Sequence, residues 1–152
     1  MDEQDFFFVD GKTTSFADVI LRYKKVGRSL FVATYGFGVK QVRRLMSNFD
    51  SVVLIADESH SVLNSKAFKS AEAMSRNSNG FEFRPMRNHA KLAIIDDAVI
   101  IFTSANLSQN RKRELYFVYS ADIEIMESIK AEFGEIVLDG VQDFSQFGFG
   151  DI

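Results

Sequence analysis

His89-Ala90-Lys91-Leu92-Ala93-Ile94-Ile95-Asp96-Asp97-Ala98-Val99-Ile100-Ile101-Phe102-Thr103-Ser104-Ala105-Asn106 contains two apolar runs joined at Asp96-Asp97-Ala98, with polar residues only at the outer ends. Two short β-branched runs around an Asp-rich turn read as a β-hairpin. A tight turn centred between Asp97 and Ala98 would set His89 opposite Asn106 and Lys91 opposite Ser104. Side chains alternate along a strand, so that register puts all four on one face, which Ala93, Ile95, Ile100 and Phe102 continue toward the turn. The hairpin is therefore apolar except where an imidazole, an ammonium, a hydroxyl and an amide converge. Such a set can attack or move a proton at a phosphate ester and hold its oxygens. A lone histidine or lysine on a strand carries no such implication; the convergence does.

Around this hairpin the chain alternates helix and strand signals. Phe6-Phe7-Phe8-Val9 reads as a first strand, Thr14 or Ser15 caps a helix bearing Phe16, Val19, Ile20 and Tyr23, and Gly27 is placed to end it. Leu30 to Tyr35 and Ser51 to Ala56 read as buried strands, with a helix carrying Val39, Val42, Leu45 and Met46 between them. A polar loop at Asp57-Glu58-Ser59-His60-Ser61 leads to a weaker helix over Val62 to Ser75. From Phe81 the signals are strands: Phe81 to Met86, Ala90 to Ile95, Val99 to Ser104 and Glu114 to Ser120. Asp122 then caps a helix with Ile125, Met126, Ile129, Phe133, Ile136 and Val137 on one face. The fold class expected is α/β, a mixed, partly parallel β-sheet flanked by helices in a single domain over residues 1–140, followed by a tail over 141–152.

The spacing of His89, Lys91 and Asp96, followed by Ser104 and Asn106, resembles the HxKxxxxD and GSxN signature of the phospholipase D superfamily. The likeness extends to Phe31-Val32-Ala33-Thr34-Tyr35 and Val52 to Asp57, so it spans most of residues 1–140. Thr103 stands where the family usually has glycine. The resemblance implies a phospholipase D-like fold and a phosphodiesterase in which one histidine attacks phosphorus and a second protonates the leaving oxygen. Only one motif is present, so it further implies a homodimer with His89, Lys91 and Asn106 of both copies in one shared site. The serine of the motif falls on Ser104, and the acidic residue that hydrogen-bonds a histidine falls on Glu114. Single-motif members are small nucleases that need no metal, and no cofactor is implied.

Composition and local charge suit an enzyme that must grip a phosphate and release it. The 152 residues carry a formal charge of −3, which argues against coating nucleic acid by overall charge. Arg84, Arg87, Arg111, Lys112 and Arg113 nevertheless flank the motif, and these are the expected substrate-binding residues. Sixteen phenylalanines and no tryptophan point to a Phe-rich core, and Phe144-Ser145-Gln146-Phe147-Gly148-Phe149-Gly150 could stack nucleobases but reads more simply as a loosely docked terminus. With no cysteine, only two histidines and His60 in a separate polar loop, no metal site is expected. Asp96 and Asp97 are strand neighbours pointing to opposite faces; Asp96 reads as a turn former or ion-pair partner. No apolar stretch approaches the roughly 20 residues that cross a bilayer, so no membrane partner is expected. The start of the chain lacks signal-peptide character, and the expected location is cytoplasmic. Two alternatives stay open: a phospholipid phosphodiesterase or phosphatidyl transferase, and a non-catalytic nucleic-acid-binding module of the same fold.

Overall fold

A computed structural model describes residues 4–120 and 122–134. The elements run β1 (Gln4–Asp10), α1 (Phe16–Arg22), β2 (Ser29–Ala33), α2 (Val39–Met46), β3 (Ser51–Asp57), α3 (His60–Leu63), α4 (Ser65–Asn77), β4 (Phe81–Met86), β5 (Leu92–Ile95), β6 (Val99–Thr103) and β7 (Arg113–Ser120). The strands form one seven-stranded sheet in the order β1-β7-β6-β5-β2-β3-β4. β2, β3 and β4 pair in parallel, and β5, β6, β7 and β1 join them through antiparallel pairings. The expected mixed sheet is the observed one. α5 (Ile123–Glu132) belongs to a separate unit, with Asp122 Oδ1 accepting from Ile125 N at 3.0 Å as its N-cap. Ile136, Val137 and the 141–152 tail lie outside the described residues.

α1 begins where its sequence provides both halves of a capping box. Ser15 Oγ accepts from Asp18 N at 3.1 Å, and Asp18 Oδ2 accepts from Ser15 N at 2.7 Å, so two otherwise orphaned amides are satisfied. The apolar face that follows, Phe16, Ala17, Val19 and Ile20, is fully buried. Together with Val42 and Leu45 of α2 and Ala67 and Ala71 of α4, it packs on Leu30, Val32, Leu54, Ala56, Ala93, Ile95 and Ile101 of the sheet. The alternate residues Phe31, Ile55, Ile94 and Ile100 are also buried, which is why the central strands read as unbroken apolar runs rather than as alternating ones.

The hairpin register differs from the expected one by a single residue. Leu92 pairs with Phe102, Ala93 with Ile101, Ile94 with Ile100 and Ile95 with Val99, so the turn is centred on Asp97 and spans Asp96 to Ala98. Val99 and Ile101 therefore share the helix-facing side with Ala93 and Ile95, while Ile100 and Phe102 point to the other face. The cause is Asp96. Both Asp96 and Asp97 adopt left-handed backbone, with φ of 52° and 49°, a conformation aspartate tolerates better than most residues. The Asp96 carboxylate then accepts five backbone N–H bonds, from Lys25, Val26, Gly27, Arg28 and Ser29, at 2.6 to 3.1 Å. Partial burial pushes its pKa up, but the bonds from Gly27, Lys25, Val26 and Ser29 outweigh that and hold it at about 2. Gly27, expected to end α1, lies beyond the last helical residue, Arg22, and its φ of 74° turns the loop onto Asp96.

Candidate active site

The strand directions place His89, Lys91, Ser104 and Asn106 at one end of the sheet and Asp96, in the β5–β6 turn, at the other. β1, β2, β3, β4 and β6 all run toward the His89 end, and β5 and β7 start there. The segments 11–15, 34–38, 57–59, 87–91 and 104–112 accordingly gather outside the carboxyl ends of the parallel strands, where open α/β sheets bind ligands.

His89 lies in the exposed segment between β4 and β5, not within a strand. The preceding residue positions it. Asn88, 9% exposed, donates from Nδ2 to Thr34 O at 2.9 Å and to Ala90 O at 3.0 Å, and its Oδ1 accepts from Ala90 N at 3.2 Å. Its own backbone N–H donates to Asp57 Oδ1 at 2.8 Å, while Asp57 Oδ2 accepts from Ser59 N at 3.0 Å. The bonds from Ser59 and from Asn88 lower the pKa of Asp57, which keeps the carboxylate charged and the loop tied to the end of β3. Tyr35 packs a tilted ring on His89, with centroids 5.0 Å apart. Neither nitrogen of the His89 ring has a hydrogen-bond partner among the described residues, so both are open to a substrate. Lys91 Nζ folds back to donate to His89 O at 3.4 Å.

Asn106 is fixed from the other side. Its Oδ1 accepts from Gly36 N at 3.1 Å and Thr34 Oγ1 at 3.4 Å, and the neighbouring Leu107 forms a bridge with Phe37. This leaves the Nδ2 donors for a ligand oxygen, with the amide assigned by its acceptor contacts. Ser104 Oγ donates to Glu114 Oε1 at 2.6 Å and accepts from Leu115 N at 3.0 Å. Within this chain Glu114 therefore engages the serine rather than a histidine. Thr103, the departure from glycine, is used structurally: its Oγ1 donates to Leu115 O at 2.8 Å and accepts from Ala105 N at 3.0 Å as the chain leaves β6. Lys91 thus sits opposite Thr103, whose N–H donates to Lys91 O at 3.2 Å, rather than opposite Ser104, while the His89 segment and Asn106 are each tied to residues 34–36.

The expected phosphate-binding cations divide. Arg87, Arg111 and Lys112 are exposed at the same sheet end as the motif, and Arg113 starts β7 opposite Asp10. Arg84 does not join them. It sits within edge strand β4, separated from β5 by β2 and β3, and its guanidinium is held by Glu82, with Nε to Oε2 at 3.0 Å.

His60 corrects the sequence reading most sharply. It opens α3, is only 9% exposed, and lies between the rings of Tyr35 and Phe37 at 5.5 and 5.9 Å. Both its ring nitrogens are buried without a hydrogen-bond partner. Tyr35 contacts both histidines, so His60 borders the cluster rather than occupying a separate loop. No local signal gives Tyr35, Thr34 or His60 away. Asn88 adjoins the motif and Gly36 follows a buried strand, which are the only cues to their roles. Among the described residues no three His, Asp or Glu side chains group to hold a metal ion, and no helix is long and apolar enough to cross a membrane.

No protein-family model matches the chain, and no curated protein sequence matches it. Its fold is nevertheless shared with solved structures. NucT from Helicobacter pylori superposes with a TM-score of 0.67 at 16% identity, over 90% of this chain and 96% of that one. TrmBL2, an archaeal chromatin protein whose structure shows a novel mode of DNA binding, superposes with a TM-score of 0.53 at 15% identity. That match covers 86% of this chain and 50% of TrmBL2. The fold is phospholipase D-like: a mixed, partly parallel open sheet flanked by helices.

Proposed function

We propose that this protein is a metal-independent phosphodiesterase that cleaves DNA or RNA through a phosphohistidine on His89, at a site completed by a second copy of the chain. The observation that carries this reading is an exposed imidazole with no partner for either nitrogen, packed on Tyr35, at the same carboxyl end of a phospholipase D-like sheet as Lys91 and an Asn106 amide fixed by Gly36. A His89 ring nitrogen attacks phosphorus, a P–N bond forms and the P–O bond to the leaving group breaks. The proton for the leaving oxygen comes from the same histidine of the second copy, which returns to take a proton from the water that then displaces His89. Lys91 and the Asn106 amide stabilise the charge that builds on the non-bridging oxygens. Ser104, held by Glu114 and Leu115, fixes the start of the segment that carries Asn106.

Purified protein incubated in EDTA with labelled single- and double-stranded DNA and RNA tests this reading. Cleavage is expected from the wild type and not from His89→Ala, with both proteins equally folded. Equal cleavage by the variant would remove His89 from the mechanism. A second reading, a nucleic-acid-binding module without catalysis, draws support from the shared fold of the DNA-binding TrmBL2. It predicts salt-sensitive DNA binding with no cleavage by either protein.

A further inference from the structure

A second polar cleft opens at the same end of the sheet as the candidate active site. Its walls are the β1–α1 turn from Gly11 to Ser15, the polar side of α2 and the segment around Gln109. It encloses about 490 Å³ and is lined by four cations, Lys12, Lys40, Arg43 and Arg44, against one acid, Asp18. Arg44 already pairs with Asp18 at 2.6 Å, which leaves Lys12, Lys40 and Arg43 with no carboxylate in ion-pair range among the described residues. Gly11, Lys12 and Gln109 also line an adjoining hollow that adds Asn110 and Arg111. Concentrating cations here, on a chain whose formal charge is −3, produces a local field the net charge conceals.

Two further observations point to a ligand. Gln41 Oε1 and both polar atoms of the Asn110 amide are buried without hydrogen-bond partners, an arrangement rare in a finished protein interior. The cleft also adjoins the motif. Gly38 N donates to Leu107 O at 2.8 Å, and a Cβ at Gly38 would come within 3.9 Å of Ser108, so two small residues face each other where the two sites meet. Gln109 is three residues from Asn106, at most about 11 Å along the backbone. One strand of B-form nucleic acid presents a phosphate about every 3.4 Å of helix axis, so the span fits a few nucleotides.

We infer that this cleft holds the phosphate backbone of a nucleic acid strand a few nucleotides from the scissile bond, with Lys12, Lys40 and Arg43 as its phosphate contacts. The inference rests on the phosphodiesterase reading for its scissile bond, but the binding it describes is separable from cleavage. A recessed trough shared with a site that accepts a diester suits a strand better than a flat lipid surface. Arg111, in the adjoining hollow, extends the same track.

The test combines Lys12→Ala, Lys40→Ala and Arg43→Ala, three exposed side chains, and follows two activities. In a His89→Ala background, binding of a labelled single-stranded oligonucleotide is followed by fluorescence anisotropy across a salt series. In the His89 protein, hydrolysis of bis(p-nitrophenyl) phosphate reports on the reaction centre alone. The triple variant should weaken oligonucleotide binding at least tenfold and flatten the slope of log K against log salt by about 2, at about 0.7 per lost single-strand phosphate contact. Hydrolysis of the small diester should stay unchanged. A charge-keeping variant, Lys12→Arg, Lys40→Arg and Arg43→Lys, should restore the slope. Unchanged affinity and slope would overturn the cleft whatever the catalytic result. Loss of affinity for anionic phosphatidylglycerol vesicles, with oligonucleotide binding intact, would overturn it in favour of a lipid headgroup. Oligonucleotide binding that falls as expected, with no hydrolysis of any diester, would sustain the cleft and overturn the phosphodiesterase reading.

Discussion

Gly36 is where the His60 ring crowds the backbone beside Asn106. A Cβ there would stand 2.9 Å from His60 Nε2 and 3.9 Å from Asn106 Cγ, while its N–H anchors Asn106. Gly36→Ala should therefore push the His60 ring and cost about 1–3 kcal/mol, as overpacking usually does. Thermal melts measure it, and in a double-mutant cycle His60→Ala should recover part of the loss by freeing the space. If the melting temperature of Gly36→Ala equals that of the wild type, the ring is not confined as described. At this scale the sequence was legible for the residues of the motif and opaque for their neighbours. His60 sits in Asp57-Glu58-Ser59-His60-Ser61, a polar stretch, yet it packs against the distant rings of Tyr35 and Phe37 and against Gly36. Burial imposed by residues more than 20 positions away leaves no mark on local composition.

Among the elements, the hairpin of β5 and β6 shows most plainly what a pattern can and cannot specify. Both strands are legible from their apolar runs, but their register is set by a carboxylate reaching the 25–29 loop, about 70 positions away in sequence. The pKa of Asp96, lowered from 3.8 to about 2, means that the folded state prefers the charged form. Its contribution is complete above about pH 4 and disappears as the pH falls through about 2. Allowing for solvent screening of a partly exposed group, the shift corresponds to about 1–2 kcal/mol. Asp96→Asn should thus be less stable than the wild type by about that amount at pH 7, with the gap narrowing toward pH 3. Urea titrations at both pH values check it; a gap that widens on acidification would contradict the assignment. Loss of the clamp also removes the partner of five backbone donors, so Asp96→Ala should cost at least as much.

Considered as a whole, the molecule divides its labour between the two ends of one sheet. The mixed pairing was legible from helix–strand alternation giving way to consecutive strands. The strand order was not, because the return of β1 to β7 and the insertion of β5 beside β2 are long-range pairings with no local signature. Dimerisation is tested at this scale. If two copies share one site, adding excess His89→Ala protein to the wild type should lower cleavage well below that of wild type alone, since mixed dimers lack one of the two histidines. Activity proportional to the wild type present, however much variant is added, would show that each chain works alone. The Asp96 clamp has a practical corollary for handling the protein. It closes the end of the sheet remote from His89, and the Lys24 and Lys25 side chains beside it are exposed. An anchor attached there would hold the sheet by its inert end and leave His89 facing outward, an orientation suited to stretching a tethered polymer across the reactive loops.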